Sequence, residues 1–210
     1  KFVLDVSGEV MKKIGILGGS FDPIHLGHIQ LALQAKEELN LDKVLFIPAK
    51  RQPFKLNRKV TSEEHRVRML EFALQGIEGL EISYIELEND EISYTINTLR
   101  RIKDFYRNGE IFFILGTDAF INIELWHEAD QLLQECSFAI GSRPGYKEEE
   151  LKSCIDRIRQ VYNTNIVLLN NKELLISSSD IKTKVGRGVS IKALVPDAVE
   201  RYIDENGLYK

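Results

Sequence analysis

Residues Lys13 to Asn40 read KIGILGGSFDPIHLGHIQLALQAKEELN. The first five form a short apolar run of strand length that stops at the pair Gly18 and Gly19. From Leu26 to Asn40 the apolar residues return at helical spacing. Strand, glycine turn and helix make one α/β unit, and the chain repeats the alternation almost to its end. Val44 to Ile47 (VLFI) is a second strand closed by Pro48, and Ser62 to Gln75 is a helix with Val67, Leu70 and Leu74 on one face. Ser62, with Glu64 nearby, suits its start. Leu80 to Leu87 alternates in part and predicts a strand, followed by an amphipathic helix over Thr95 to Tyr106. Ile111 to Leu115 (IFFIL), Phe138 to Ile140 and Ile166 to Leu169 complete the strands, with helical Glu148 to Val161 between the last two.

Strands apolar on both faces and separated by helices imply a parallel sheet covered on both sides. The expected fold is α/β, a doubly wound parallel sheet with a small C-terminal helical part. Such sheets bind ligands beyond the carboxyl ends of their strands. The unusual polar stretches fall there: GGSFDP after the first strand, PAKRQPFK after the second, GTD after the fourth and SRPG after the fifth.

The chain has 210 residues, enough for one domain over residues 11–210, and the stretch KFVLDVSGEV ahead of Met11 reads as an extension outside the fold. With 28 basic and 32 acidic residues the net charge is −4, which argues against bulk-charge binding of nucleic acid. No apolar run approaches the ~20 residues of a membrane span, and no signal-peptide layout opens the chain. A cytoplasmic protein with no membrane partner is expected. Cys136 and Cys154 lie eighteen positions apart without a CxxC, so both read as reduced core thiols. Nothing marks an oligomer interface, and a homo-oligomer stays open.

The chemistry concentrates in Gly18 to His28. Paired glycines let the backbone approach a ligand and turn its N–H groups toward an anion. His25 and His28, three apart at a helix start, share one face near its positive end, and Gly27 between them leaves room against the backbone. That combination suits phosphate and offers no obvious nucleophile. A zinc pair is the alternative, but no third Cys, His or carboxylate stands at a supporting spacing, so no protein-held metal is expected. Ile176 to Lys182 reads ISSSDIK: hydroxyls before a helix that serve as caps or as phosphate donors, with Lys182 one turn in.

GGSFDPIHLGH together with ISSSDIK resembles the HxGH nucleotidyltransferases, whose second signature is ISSTxIR. In detail the chain from Met11 on is similar to the bacterial nicotinate-nucleotide adenylyltransferases, through FIPA, EHRVRML, SYTINTL, LGTDAF and VPDAVERYIDENGLY. The resemblance implies a Rossmann-like fold and transfer of the adenylyl group of ATP to nicotinate mononucleotide, with pyrophosphate released and Mg2+ carried by ATP. It makes His25, His28 and Lys182 the catalytic cations and donors at the phosphates. ATP would also meet Gly18, Gly19, Ser20, Phe21, Gly27, Ser177, Ser178 and Ile181, with Asp118 on ribose hydroxyls. Trp126 would stack on the pyridine ring and Thr95 would sit near its carboxylate, with Lys55 and Arg143 on the same substrate.

Plainer roles stand beside these. Thr95 and Asp118 suit helix capping, and Trp126 suits the core. Lys50, Arg51, Lys55, Arg58 and Lys59 form either a solvated loop or an electropositive lid, and Arg143 is equally ambiguous. Two departures from the family pattern stand out. Lys182 replaces the usual arginine and loses its planar fork. Gln52, Pro53, Phe54 and Lys55 replace PPHK, so the histidine is missing. The rival readings are an acceptor with an amide pyridine or phosphopantetheine, a class I aminoacyl-tRNA synthetase fragment, and a non-catalytic nucleotide-binding protein.

Overall fold

A computed structural model describes residues 12–51, 60–88, 92–141, 147–170 and 176–210. The expected extension, residues 1–10, lies outside them. Among the described residues the elements alternate as β1 (Lys13–Gly19), α1 (Leu26–Leu39), β2 (Lys43–Pro48), α2 (Glu63–Leu74), β3 (Leu80–Ile82), α3 (Thr95–Phe105), β4 (Glu110–Gly116), α4 (Thr117–Ile121), α5 (Ala129–Glu135), β5 (Ser137–Gly141), α6 (Glu148–Tyr162), β6 (Ile166–Leu169), α7 (Ser178–Gly186) and α8 (Asp197–Glu205). The six strands make one sheet in the order β3-β2-β1-β4-β5-β6, every pair parallel. This is the doubly wound, Rossmann-like order, and strand order reverses between β1 and β4.

The continuous apolar runs have a simple cause: alternate residues of each strand serve two cores. Ile14 and Ile16 of β1, Leu45 and Ile47 of β2, and Ile111, Phe113 and Leu115 of β4 join one cluster with α3, α5 and α6. Leu17, Val44, Phe46, Phe112 and Ile114 join the other, with α1, α2, α7 and α8. The second core holds Ile181, Ile191, Val195, Val199 and Ile203, so the C-terminal helices pack on the sheet layer. Gly15 is required by close approach: a Cβ there would lie 2.8 Å from Leu41 Cδ1 and 2.9 Å from Ile114 Cδ1.

The strand expected over Leu80 to Leu87 is shorter. β3 ends at Ile82 after Ser83 N–H donates to Phe46 O (2.9 Å), and the chain then turns through Leu87 N–H to Tyr84 O (2.8 Å). The turn wins because it buries Ile85 and carries Glu86 to Thr98. Both cysteines are free; Cys154 is buried, and burial pushes the Cys136 thiol up to about 12. No helix among the described residues is long and apolar enough to cross a membrane.

Candidate active site

The reversal point of the sheet puts the carboxyl ends of β1 and β4 side by side, and the β1–α1 turn rises from that edge. Phe21 occupies the left-handed region (φ 47°) yet is 1% exposed. Its ring holds the turn down against Phe46 (5.6 Å between centroids) and meets His28 edge-on at 5.2 Å. Left-handed backbone is uncommon for a bulky residue, and burial of the ring offsets the strain.

His25 is the N-cap of α1, whose first turn carries no acid to compete for an anion. The two imidazoles stack with centroids 3.6 Å apart. The His25 backbone N–H donates to His28 Nδ1 at 3.3 Å. With Nδ1 accepting, a neutral His28 carries its proton on Nε2, the form that donates to a phosphate oxygen. Gly27 is needed for this stack: its Cβ would stand 3.0 Å from His25 Nδ1 and 3.2 Å from Cε1. The room expected beside Gly27 is therefore filled by the protein's own histidine.

The second signature is joined to the first by a direct bond. Ser178 Oγ donates to Pro23 O at 3.0 Å, which ties the start of α7 to the β1–α1 turn. Ser177 caps α7, accepting from Asp180 N–H at 3.1 Å and donating to Asp180 Oδ2 at 2.8 Å. Ile181 is fully buried and anchors α7, leaving only its backbone for a nucleotide. Lys182 Nζ lies 3.0 Å from Asp22 Oδ2, where Asp22 is buried and the lysine is half-buried.

Asp22 and Arg66 are absent from the sequence-based assignments. Asp22 also accepts from Tyr209 OH at 2.7 Å and Thr61 N–H at 3.4 Å. Burial alone would raise its carboxyl, but the bonds from Thr61, Tyr209 and Lys182 prevail and hold it below its ordinary range. Arg66, 2% exposed, donates from Nη1 to Ser20 O at 2.7 Å and from Nε to Thr61 O at 3.0 Å, fixing the turn from behind. A charge set in an apolar neighbourhood, as in FDPI and HRVRML, was the available signal.

Across the reversal, Asp118 lies exposed in the first turn of α4 and pairs with Lys147 Nζ at 3.2 Å; Gly116, not Asp118, is the N-cap. Thr95 is the first residue of α3, and Tyr94 is its cap. Trp126 is half-buried and packs edge-on against Phe113 (6.4 Å). Tyr94 and His127 stack at 4.1 Å, which brings the Thr95 and Trp126 segments together. Of the basic loop, Lys50 Nζ donates to Leu87 O at 3.2 Å and Arg51 is exposed. Phe54, Lys55, Arg58, Lys59 and Arg143 lie outside the described residues. Among the described residues no three His, Cys, Asp or Glu side chains group as a metal site.

Residues 16–184 match the family model described as Cytidylyltransferase-like. A Thermoanaerobacter protein named "Probable nicotinate-nucleotide adenylyltransferase" is 40% identical over 199 residues, covering 94% of each chain. A Clostridium botulinum protein of the same name is 40% identical over 200 residues, covering 95% of this chain and 99% of its own. The solved structure of "Plasmodium falciparum nicotinic acid mononucleotide adenylyltransferase complexed with NaAD" superposes with a TM-score of 0.78 at 25% identity, covering 94% of this chain and 97% of that one. With the histidine pair and the serine-capped helix meeting at the sheet's reversal point, the chain belongs to the cytidylyltransferase-like family and, within it, to the nicotinate-nucleotide adenylyltransferases, which are nucleotidyltransferase enzymes.

Proposed function

We propose that the protein joins ATP and nicotinate mononucleotide into the deamido dinucleotide of NAD biosynthesis, releasing pyrophosphate. The observation that carries the reading is the Ser178–Pro23 bond, which sets the starts of α1 and α7 around one turn. Two helix N-termini, His28 Nε2–H and the Lys182 ammonium then converge on a polyanion. An oxygen of the acceptor's 5′-phosphate attacks the α-phosphorus in line, the bond from that phosphorus to the bridging oxygen breaks, and the electron pair leaves with pyrophosphate. Such a transfer asks the protein for positioning and charge stabilisation, with no covalent enzyme intermediate. Magnesium would accompany ATP and offset charge on its phosphates, and no side chain of this protein is assigned to hold it. Trp126 and Thr95 are the proposed pyridine contacts, and Asp118 the ribose contact. An ATP-using biosynthetic enzyme of this kind works in the cytoplasm.

The test is pyrophosphate release from ATP and magnesium, with the acid and the amide mononucleotide in parallel. Strong preference for the acid supports the assignment. Equal or reversed preference overturns the acceptor and keeps the reaction class. No release with either leaves a nucleotide-binding protein as the better account.

A further inference from the structure

Asp22, near the start of the chain, gathers two partners from near its end. Its Oδ2 faces Lys182 Nζ at 3.0 Å, and its Oδ1 accepts from Tyr209 OH at 2.7 Å, a contact spanning 187 positions. The ammonium also stands 5.9 Å from the centre of the Tyr209 ring. Tyr209 itself holds a left-handed backbone (φ 66°) just past α8. A tyrosine seldom adopts that region, and it persists where the surroundings over-determine it. Here the determinants are the bond to Asp22 and packing in the core of α1, α2 and α7. Burial and the Asp22 carboxylate push the Tyr209 hydroxyl well above its ordinary range, so it remains a donor at any working pH.

A lysine on a four-carbon stem lacks the planar fork by which arginine fixes itself on phosphate. A buried carboxylate beside it is costly to desolvate and is tolerated when its remaining lone pairs are satisfied. We propose that Tyr209 is a positioning residue for Lys182: its hydroxyl fixes Asp22 and its ring lies under the ammonium, so the lysine is held ready where the family pattern has arginine. This rests on Lys182 facing the triphosphate.

The experiment measures kcat/KM for MgATP in four proteins: wild type, Tyr209→Phe, Lys182→Ala and the double variant, each checked by thermal melt. Tyr209→Phe keeps the ring and loses only the hydroxyl. It should lower kcat/KM about 5- to 20-fold in the wild-type background and less than about 2-fold once Lys182 is alanine, the coupling of residues acting through one another. Equal losses in both backgrounds, or none in the first, overturn the proposal while leaving Lys182 at the phosphates. If Lys182→Ala itself leaves kcat/KM unchanged, the assignment of Lys182 fails and the proposal with it. Should Tyr209→Phe melt below the assay temperature, the four proteins are compared at a lower temperature at which all are folded, and the same background dependence is required.

Discussion

The rings of His25 and His28 lie face to face, 3.6 Å between centroids and 21° from parallel, at the first turn of α1. His25 is 6% exposed and His28 is half-buried, so the inner ring supports the outer one. The outer ring carries the donor, because its Nδ1 is occupied by the His25 backbone N–H. His28→Ala should therefore cut turnover by at least ~100-fold, the scale of losing a preorganised donor to developing charge. Pyrophosphate release by the folded variant checks it, and near-normal turnover would remove His28 from the mechanism.

Gly27→Ala separates activity from stability. Inside a helix alanine is favoured over glycine by about 1 kcal/mol, and crowding against the buried His25 ring offsets that gain here, so the melting temperature should change little. The new methyl, however, would press on the His25 ring at 3.0 to 3.2 Å. The stack must shift by a few tenths of an ångström, and turnover should fall about 10-fold for a displacement of that order. A variant as active as wild type would show that the ring's placement is not critical.

Gly15→Ala reverses that pattern. Its Cβ would meet Leu41, Ile114 and Val44 at 2.8, 2.9 and 3.0 Å, and all three are buried with nowhere to retreat. Overpacking of this kind costs about 1–3 kcal/mol. Chemical denaturation should report a midpoint lowered accordingly.

The strands were readable because the sheet is buried on both sides: IFFIL can be continuous only if Phe112 and Phe113 face different cores. The end of β3 was not readable, since the partial alternation of Leu80 to Leu87 continues while the ladder stops at Ser83. Short α4 and α5 carry too few turns to show a period. In the site, the three-residue spacing of His25 and His28 is local and was visible. The Asp22 contacts to Lys182 and Tyr209 span 160 and 187 positions, a closeness that no local pattern encodes. Thr95 and Asp118 have cap-forming side chains, yet the caps fall one and two residues earlier, at Tyr94 and Gly116, where the backbone is still extended.

Glu86 offers a stability test that depends on pH. Its Oε1 accepts from Thr98 Oγ1 at 2.6 Å, while Oε2 is buried with no hydrogen-bond partner among the described residues. Burial raises its carboxyl above the ordinary value; the bonds from Thr98 and Ser93 and the charge of Arg101 pull the other way and do not prevail. The folded protein thus binds this proton more tightly than the unfolded chain. The stabilisation from the neutral form is complete below the unfolded value, about 4.3 for a glutamate, and is lost as the pH rises through the raised folded value. Above that, an ionised carboxylate sits where water is excluded. Glu86→Gln keeps an acceptor for Thr98 and removes the titration, so it should raise the melting temperature relative to wild type near neutral pH. At about pH 4, where the wild-type carboxyl is already neutral, the two proteins should melt together. Melts of both across that range decide it: a difference constant with pH would mean that the substitution acts through packing, and that the buried charge contributes nothing to the pH dependence.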